Sequence, residues 1–181
     1  MKRLIILVIA LGLVTAQAFA GQIERKDFAV AKDVIKKVYT YERFSIFDDV
    51  NVQVNGGMVR LTGKVTMPFK ATDIAKRVAK VEGVKGVENR IQALPASRFD
   101  DQLRYRIARA IYWNPDFQSY AALAYPPIHI VVDRGRVTLT GVVNSEVDKQ
   151  LARTLASFSG AFSVKSELRT NAEARAEMTG D

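Results

Sequence analysis

The sequence predicts an α/β protein of the α+β sandwich kind: two tandem αββαβ units, each a three-stranded mixed sheet with two helices on one face. Three observations predict it. The stretch Val52-Gln53-Val54-Asn55-Gly56-Gly57-Met58-Val59-Arg60-Leu61-Thr62-Gly63 recurs as Ile130 to Gly141, at an offset of 78 residues. A repeat at such a period marks a tandem architecture. Within each copy apolar residues alternate, as in Val52, Val54, Val59 and Leu61, which is the period of a half-buried strand. Asn-Gly-Gly and Asp-Arg-Gly between the alternating runs tolerate the positive φ of a tight hairpin turn. The next helix and strand also recur, with Ile74/Leu151, Val78/Leu155, Gly83/Gly160, Val87/Val164 and Ile91/Leu168 at an offset of 77.

The elements follow in chain order. Met1-Lys2-Arg3, the apolar run Leu4 to Val14 and Ala18-Phe19-Ala20 compose a secretory leader cut after Ala20. The competing expectation is a retained membrane anchor, for which the apolar run is a little short. Residues 21–28 form a flexible lead-in, residues 29–95 the first unit, 96–170 the second and 171–181 a frayed tail. Ala29 to Tyr41 reads as a helix with Val34, Ile35, Val38 and Tyr41 on its inner face. Phe44, Ile46 and Phe47 fold back as a lid on the core, and the first hairpin spans Val50 to Val65. Pro68 opens a helix, where its missing N–H costs nothing. Ala71, Ile74, Ala75, Val78 and Val81 form that helix's buried stripe, with Lys70, Lys76, Arg77 and Lys80 on its solvated faces. Gly83 stops it, and a strand follows to Ala93. Ser97 and Asp100 resemble a capping box for a helix to about Trp113, ended by Asn114-Pro115. Phe117 to Pro127 is a longer aromatic loop before the second hairpin, Ile128 to Val143. Gly57 and Gly135 serve the turns. Gly63 and Gly141, each after Leu-Thr, suit a bulge or a close backbone approach.

Composition narrows function. The chain has 181 residues, no cysteine and a formal net charge of +8, which falls to +6 if Lys2 and Arg3 leave with the leader. Without cysteine there is neither a disulfide nor the lipid-modified thiol of a lipoprotein. A basic balance favours anionic partners, and export to the periplasm disfavours nucleic acid. Catalysis is poorly supplied. The one histidine, His129, sits between Ile128 and Ile130 and is expected on the solvated face of its strand. Asp48-Asp49 and Asp100-Asp101 read as loop and cap residues. Gly56-Gly57 joins two strands, whereas a phosphate-cradling loop opens a helix. The expectation is therefore no enzyme, no metal, no cofactor and no small-molecule substrate.

The core V-x-V-x-x-G-x-V-x-L-x-G, at Val52 to Gly63 and Ile130 to Gly141, resembles the BON domain family. Gly83-Val84-Lys85-Gly86-Val87-Glu88-Asn89 resembles the family's G-V-x-x-V-x-N ending. The second unit departs there, with Ser166 in place of the asparagine. The resemblance covers about residues 29–170. It implies an exported or envelope protein, usually not an enzyme, that binds phospholipid membranes and supports envelope integrity or osmotic tolerance.

One helix stands out for binding. At 100° per residue, Leu103, Ile107, Ala110 and Ile111 of the Phe99–Trp113 helix face inward. Tyr105, Ala108, Arg109 and Tyr112 face the other way, flanked by Arg106 and Trp113. Aromatic rings beside arginine suit a membrane interface, where rings sit among headgroups and arginine pairs with phosphate. The candidate lipid-binding residues are Tyr105, Arg106, Arg109, Tyr112 and Trp113. The competing expectations are packing of these rings against the other unit, an interaction module for other envelope proteins, and a binder of anionic cell-wall polymer.

Overall fold

The computed structural model describes residues 26–179, so the expected leader and its expected cleavage site lie outside the described residues. A helix, α1, covers residues 26–39. Strands β1 (Asp49–Asn55) and β2 (Met58–Val65), helix α2 (Pro68–Val78) and strand β3 (Gly86–Ala93) complete the first unit. The second unit repeats the order. It has α3 (Arg98–Tyr112), a 3-10 turn at Pro115–Phe117, the short α4 (Gln118–Ala121), β4 (Ile128–Asp133), β5 (Arg136–Val143), α5 (Glu146–Ser157) and β6 (Ser163–Thr170). Helix α6 (Asn171–Thr179) follows. Each sheet is mixed. The hairpin pairs antiparallel and the third strand joins parallel to the central one, in the orders β1-β2-β3 and β4-β5-β6.

Each unit has its own core. Val34, Val38, Val59, Leu61, Ile74 and Val78 are buried in the first. Leu103, Ile107, Ile111, Ile130, Leu139, Ala152 and Leu168 are buried in the second. Gly63 and Gly141 sit at φ 120° and 114°. A Cβ there would lie 2.2 Å from the Asp49 carbonyl oxygen and 1.8 Å from that of Pro127. The strand register runs unbroken through both positions, so they mark a close backbone approach.

Several expectations need correction. The expected lead-in is already helical from residue 26, because the Asp27 carboxylate accepts from the Gly56 and Gly57 amides at 2.6 and 3.0 Å. Ile35 is 44% exposed, one step off the Val34/Val38 ridge. Lys70 is buried, its ammonium 2.6 Å from the Asp48 carboxylate and 2.8 Å from Thr66 Oγ1. Asp48 is itself fully buried and accepts from the Ser45 and Thr66 amides and hydroxyls. The supposed tail is helical over Asn171–Thr179, where Glu173 accepts from the Thr170 amide at 2.6 Å and pairs with Lys149. The Ser97 hydroxyl caps α3 by accepting from the Asp100 amide at 3.2 Å. The Asp100 carboxylate reaches instead to the Arg134 and Gly135 amides at 2.9 and 2.8 Å. That is the same tie from helix to hairpin turn that Asp27 makes in the first unit.

His129 is the largest departure. It is 3% exposed, because β4 is buried on both faces. Ile128, Ile130 and Val132 face their own core. His129 meets the rings of Tyr39 and Phe44 from the first unit. The Asp48 carbonyl can only accept, so the His129 Nδ1–H donates to it, at 2.6 Å. Beside this contact the Ile130 amide donates to the Ile46 carbonyl at 2.6 Å. The Thr140 hydroxyl donates to Asp49 at 2.9 Å, and Lys64 pairs with Asp133 at 2.6 Å. The loop expected to lid one core is thus divided. Phe44 packs on the first core, and Ile46 and Phe47 pack on the second.

Candidate functional site

Helix α3 is fixed at both ends. Asp100 holds its first turn to the β4–β5 turn, and the Tyr112 hydroxyl at its last turn donates to the Ile128 carbonyl at 2.6 Å. The same hydroxyl accepts from the Ile128 amide at 3.2 Å. Burial pushes the Tyr112 phenol well above its ordinary value, so it stays a neutral donor across ordinary pH. Leu103, Ile107 and Ile111 then anchor the helix on the sheet.

This frame decides what α3 shows to solvent. Tyr105 is 68% and Trp113 72% exposed, with Arg106 and Arg109 exposed between them. The Arg109 guanidinium lies 4.4 Å from the centre of the Trp113 ring, a cation–π contact that leaves the outer face of the pair free. The Tyr105 ring stands edge-on to Phe47, with centroids 5.3 Å apart. Four of the five candidate residues are therefore presented together. Tyr112 is not: its ring is half-buried and packs on the second core beside Ala108, both of which the periodicity had placed facing outward. A mainly apolar groove of about 460 Å³ runs between Ile46 and the Tyr105–Trp113 stretch, with Arg106 and Arg109 among its lining residues.

Three further rings of the second unit are exposed: Phe99 at the start of α3, and Phe158 and Phe162 in the turn after α5. Sequence periodicity missed the last two because they lie outside any regular element. The offset of 77 does place Phe162 opposite Lys85 and Phe158 opposite Val81, an asymmetry visible in the sequence. The buried contacts of His129 and Asp48 had no such signal, since both depend on how the units meet.

Among the described residues, no group of three or more His, Asp and Glu side chains could hold a metal ion, and no helix is long and apolar enough to cross a membrane. The BON domain family model matches residues 27–95 and 99–172. The chain belongs to the BON domain family, as a tandem two-copy member. Membership suggests an envelope-associated role, and the family is generally non-catalytic. Comparison with curated proteins gives no match. Among solved structures, the chain is similar to CdsD, a structural protein of the type III secretion system of Chlamydia trachomatis. It is 14% identical, with a TM-score of 0.26, over 81% of this chain and 97% of that one. A structure of the CdsD C-terminal domain is also 14% identical, with a TM-score of 0.27, over 76% and 97%. At these values neither likeness carries an argument.

Proposed function

We propose that this chain is an exported, periplasmic protein that binds anionic phospholipid membranes reversibly, without catalysis, in support of envelope integrity or osmotic tolerance. The observation that carries the reading is the exposed Tyr105-Arg106-Arg109-Trp113 surface on a helix pinned at both ends. Apolar rings entering the interface contribute roughly 25 cal/mol per Å². Each basic residue near an anionic surface adds about 1 kcal/mol. Neither source alone holds the protein at moderate salt, so attachment is weak and reversible.

Sedimentation with phosphatidylglycerol vesicles tests it. Arg106→Glu with Arg109→Glu reverses the charge without touching Leu103, Ile107 or Ile111. This variant should keep its circular dichroism and melting temperature and lose sedimentation. Charge reversal at Lys76 on α2 and at Lys80 just past its end should leave binding intact. Equal loss in both variants, or none in the first, removes α3 as the lipid site. Capture of an envelope protein independent of lipid charge would point to an interaction module instead.

A further inference from the structure

The turn between α5 and β6, residues 158–162, contains no charged residue yet leaves Phe158 86% and Phe162 77% exposed. Phenyl rings left in water lose the favourable transfer that burial brings, and clustered exposed rings mark a contact surface. This turn adjoins α3. The Phe162 ring stacks on Phe99, with centroids 5.6 Å apart and planes 22° apart. Its amide donates to the Gly135 carbonyl at 2.9 Å, which pins the turn to the hairpin. A side chain at Gly135 would meet the Phe162 ring at 2.5 Å, so that glycine leaves room for it. Arg106 Nη2 lies 3.8 Å from where Gly160 would carry a Cβ. Phe99, Arg106 and Trp113 fall on one α3 stripe at seven-residue spacing, so turn and helix make one continuous rim of rings and cations. The fold itself does not require the rings. At the equivalent places the first unit has Val81, Lys85 and Lys26.

We infer that the 158–162 turn is a second membrane-insertion element, whose Phe158 and Phe162 rings enter the interface of an anionic bilayer while Arg106 and Arg109 engage headgroup phosphates. This rests on the lipid reading above. The occupant follows from charge complementarity: neutral rings in an uncharged turn enter the interface with no ion to desolvate, and the cations beside them match an anionic surface.

The absence of cysteine allows a clean test, because Phe158→Cys accepts a single environment-sensitive fluorophore. Its emission should shift to the blue and brighten with vesicles of phosphatidylethanolamine and phosphatidylglycerol. It should stay unchanged with phosphatidylcholine alone. A label at Lys76→Cys should report water throughout. Phe158→Ser with Phe162→Ser should weaken vesicle binding by about tenfold, or about 1.4 kcal/mol. Phe158→Ser alone, at the most exposed ring, keeps the test open if the double variant melts early. If the unmodified protein sediments with anionic vesicles while the label at 158 stays in water, or if the serine variants bind as tightly, the turn is not an insertion element and the α3 reading stands. If the unmodified protein does not sediment with them, both fall together.

Discussion

The two units share a backbone and part company on the solvent side of their first helices. Helices α1 and α3 align at an offset of 73, with Asp27 on Asp100, Val34 on Ile107, Val38 on Ile111 and Tyr39 on Tyr112. The inward and anchoring residues correspond. The outward ones do not: Lys26, Lys32, Asp33, Lys36 and Thr40 stand where α3 carries Phe99, Tyr105, Arg106, Arg109 and Trp113. Beside the first hairpin turn the structure leaves a groove of about 530 Å³, lined partly by Lys26, Asp27 and Lys85. At the matching place in the second unit Phe99 and Phe162 stack over Gly135. One fold thus serves twice. The positions it needs are kept, and the positions it leaves free carry the difference in chemistry.

The largest expected effect tests the sameness of the units. Gly63→Ala and Gly141→Ala each force a Cβ onto a backbone carbonyl at a positive φ. The Asp49 carbonyl belongs to β1 and Pro127 directly precedes β4, so relieving either contact displaces a strand of its hairpin. Each variant should lose roughly 3 kcal/mol in urea unfolding. A loss at one site alone would show that the two hairpins are not built alike.

Next in size is a device only the first unit has. Lys70 meets Asp48 where the second unit has the exposed Val147 and Pro126. Lys70→Met leaves a buried carboxylate without its cation, a change that costs about 3–5 kcal/mol when nothing else compensates. Asp48 keeps its donors from Ser45 and Thr66, so about 2 kcal/mol is expected here. Val147→Met should change melting little.

How much of this was legible follows from where each signal resides. Hairpins, the αββαβ element order and both cores were readable because alternation is a local pattern and the 78-residue repeat shows it twice. The α3 stripe was readable for its exposed members because helical period assigns faces. It failed for Tyr112, whose hydroxyl bridges to Ile128, sixteen residues on and beyond the Phe117/Tyr120 turn, a contact that periodicity does not encode. It failed for Lys70 and His129 for the same reason. A lysine on an apparently polar face and a histidine in an alternating strand look solvated until their tertiary partners are known.

His129 offers a pH test of how the units join. Burial holds its imidazole below the ordinary value of 6.5, against smaller opposing effects of Asp48 and Asp49. Tyr39 and Phe44 pack on it from the first unit. The separated or unfolded state therefore takes up the proton first. The stability that this contact contributes is complete above pH 6.5 and is lost as pH falls below it. His129→Phe should flatten that part of a melting-temperature profile. An unchanged slope would assign the acid sensitivity to other groups.

The smallest effect concerns Ser166, which stands where the family's ending has asparagine. Asn89 donates from its amide to the Ala71 carbonyl at 3.0 Å, tying β3 to the first turn of α2, and accepts from the Ile91 amide at 3.1 Å. At the equivalent place Ser166 Oγ is buried and has no partner among the described residues. A serine is too short to span to α5, where the matching carbonyl belongs to Asp148. Replacing Asn89 with serine should therefore cost about 1 kcal/mol, the ordinary net value of one hydrogen bond. Ser166→Asn should return a similar amount to the second unit, and Ser166→Ala should be neutral or slightly stabilising because it removes an unmatched hydroxyl. If Ser166→Asn destabilises while Ser166→Ala does not, α5 lies too close to β6 for the longer side chain. The two units then differ in helix-to-sheet spacing as well as in one hydrogen bond.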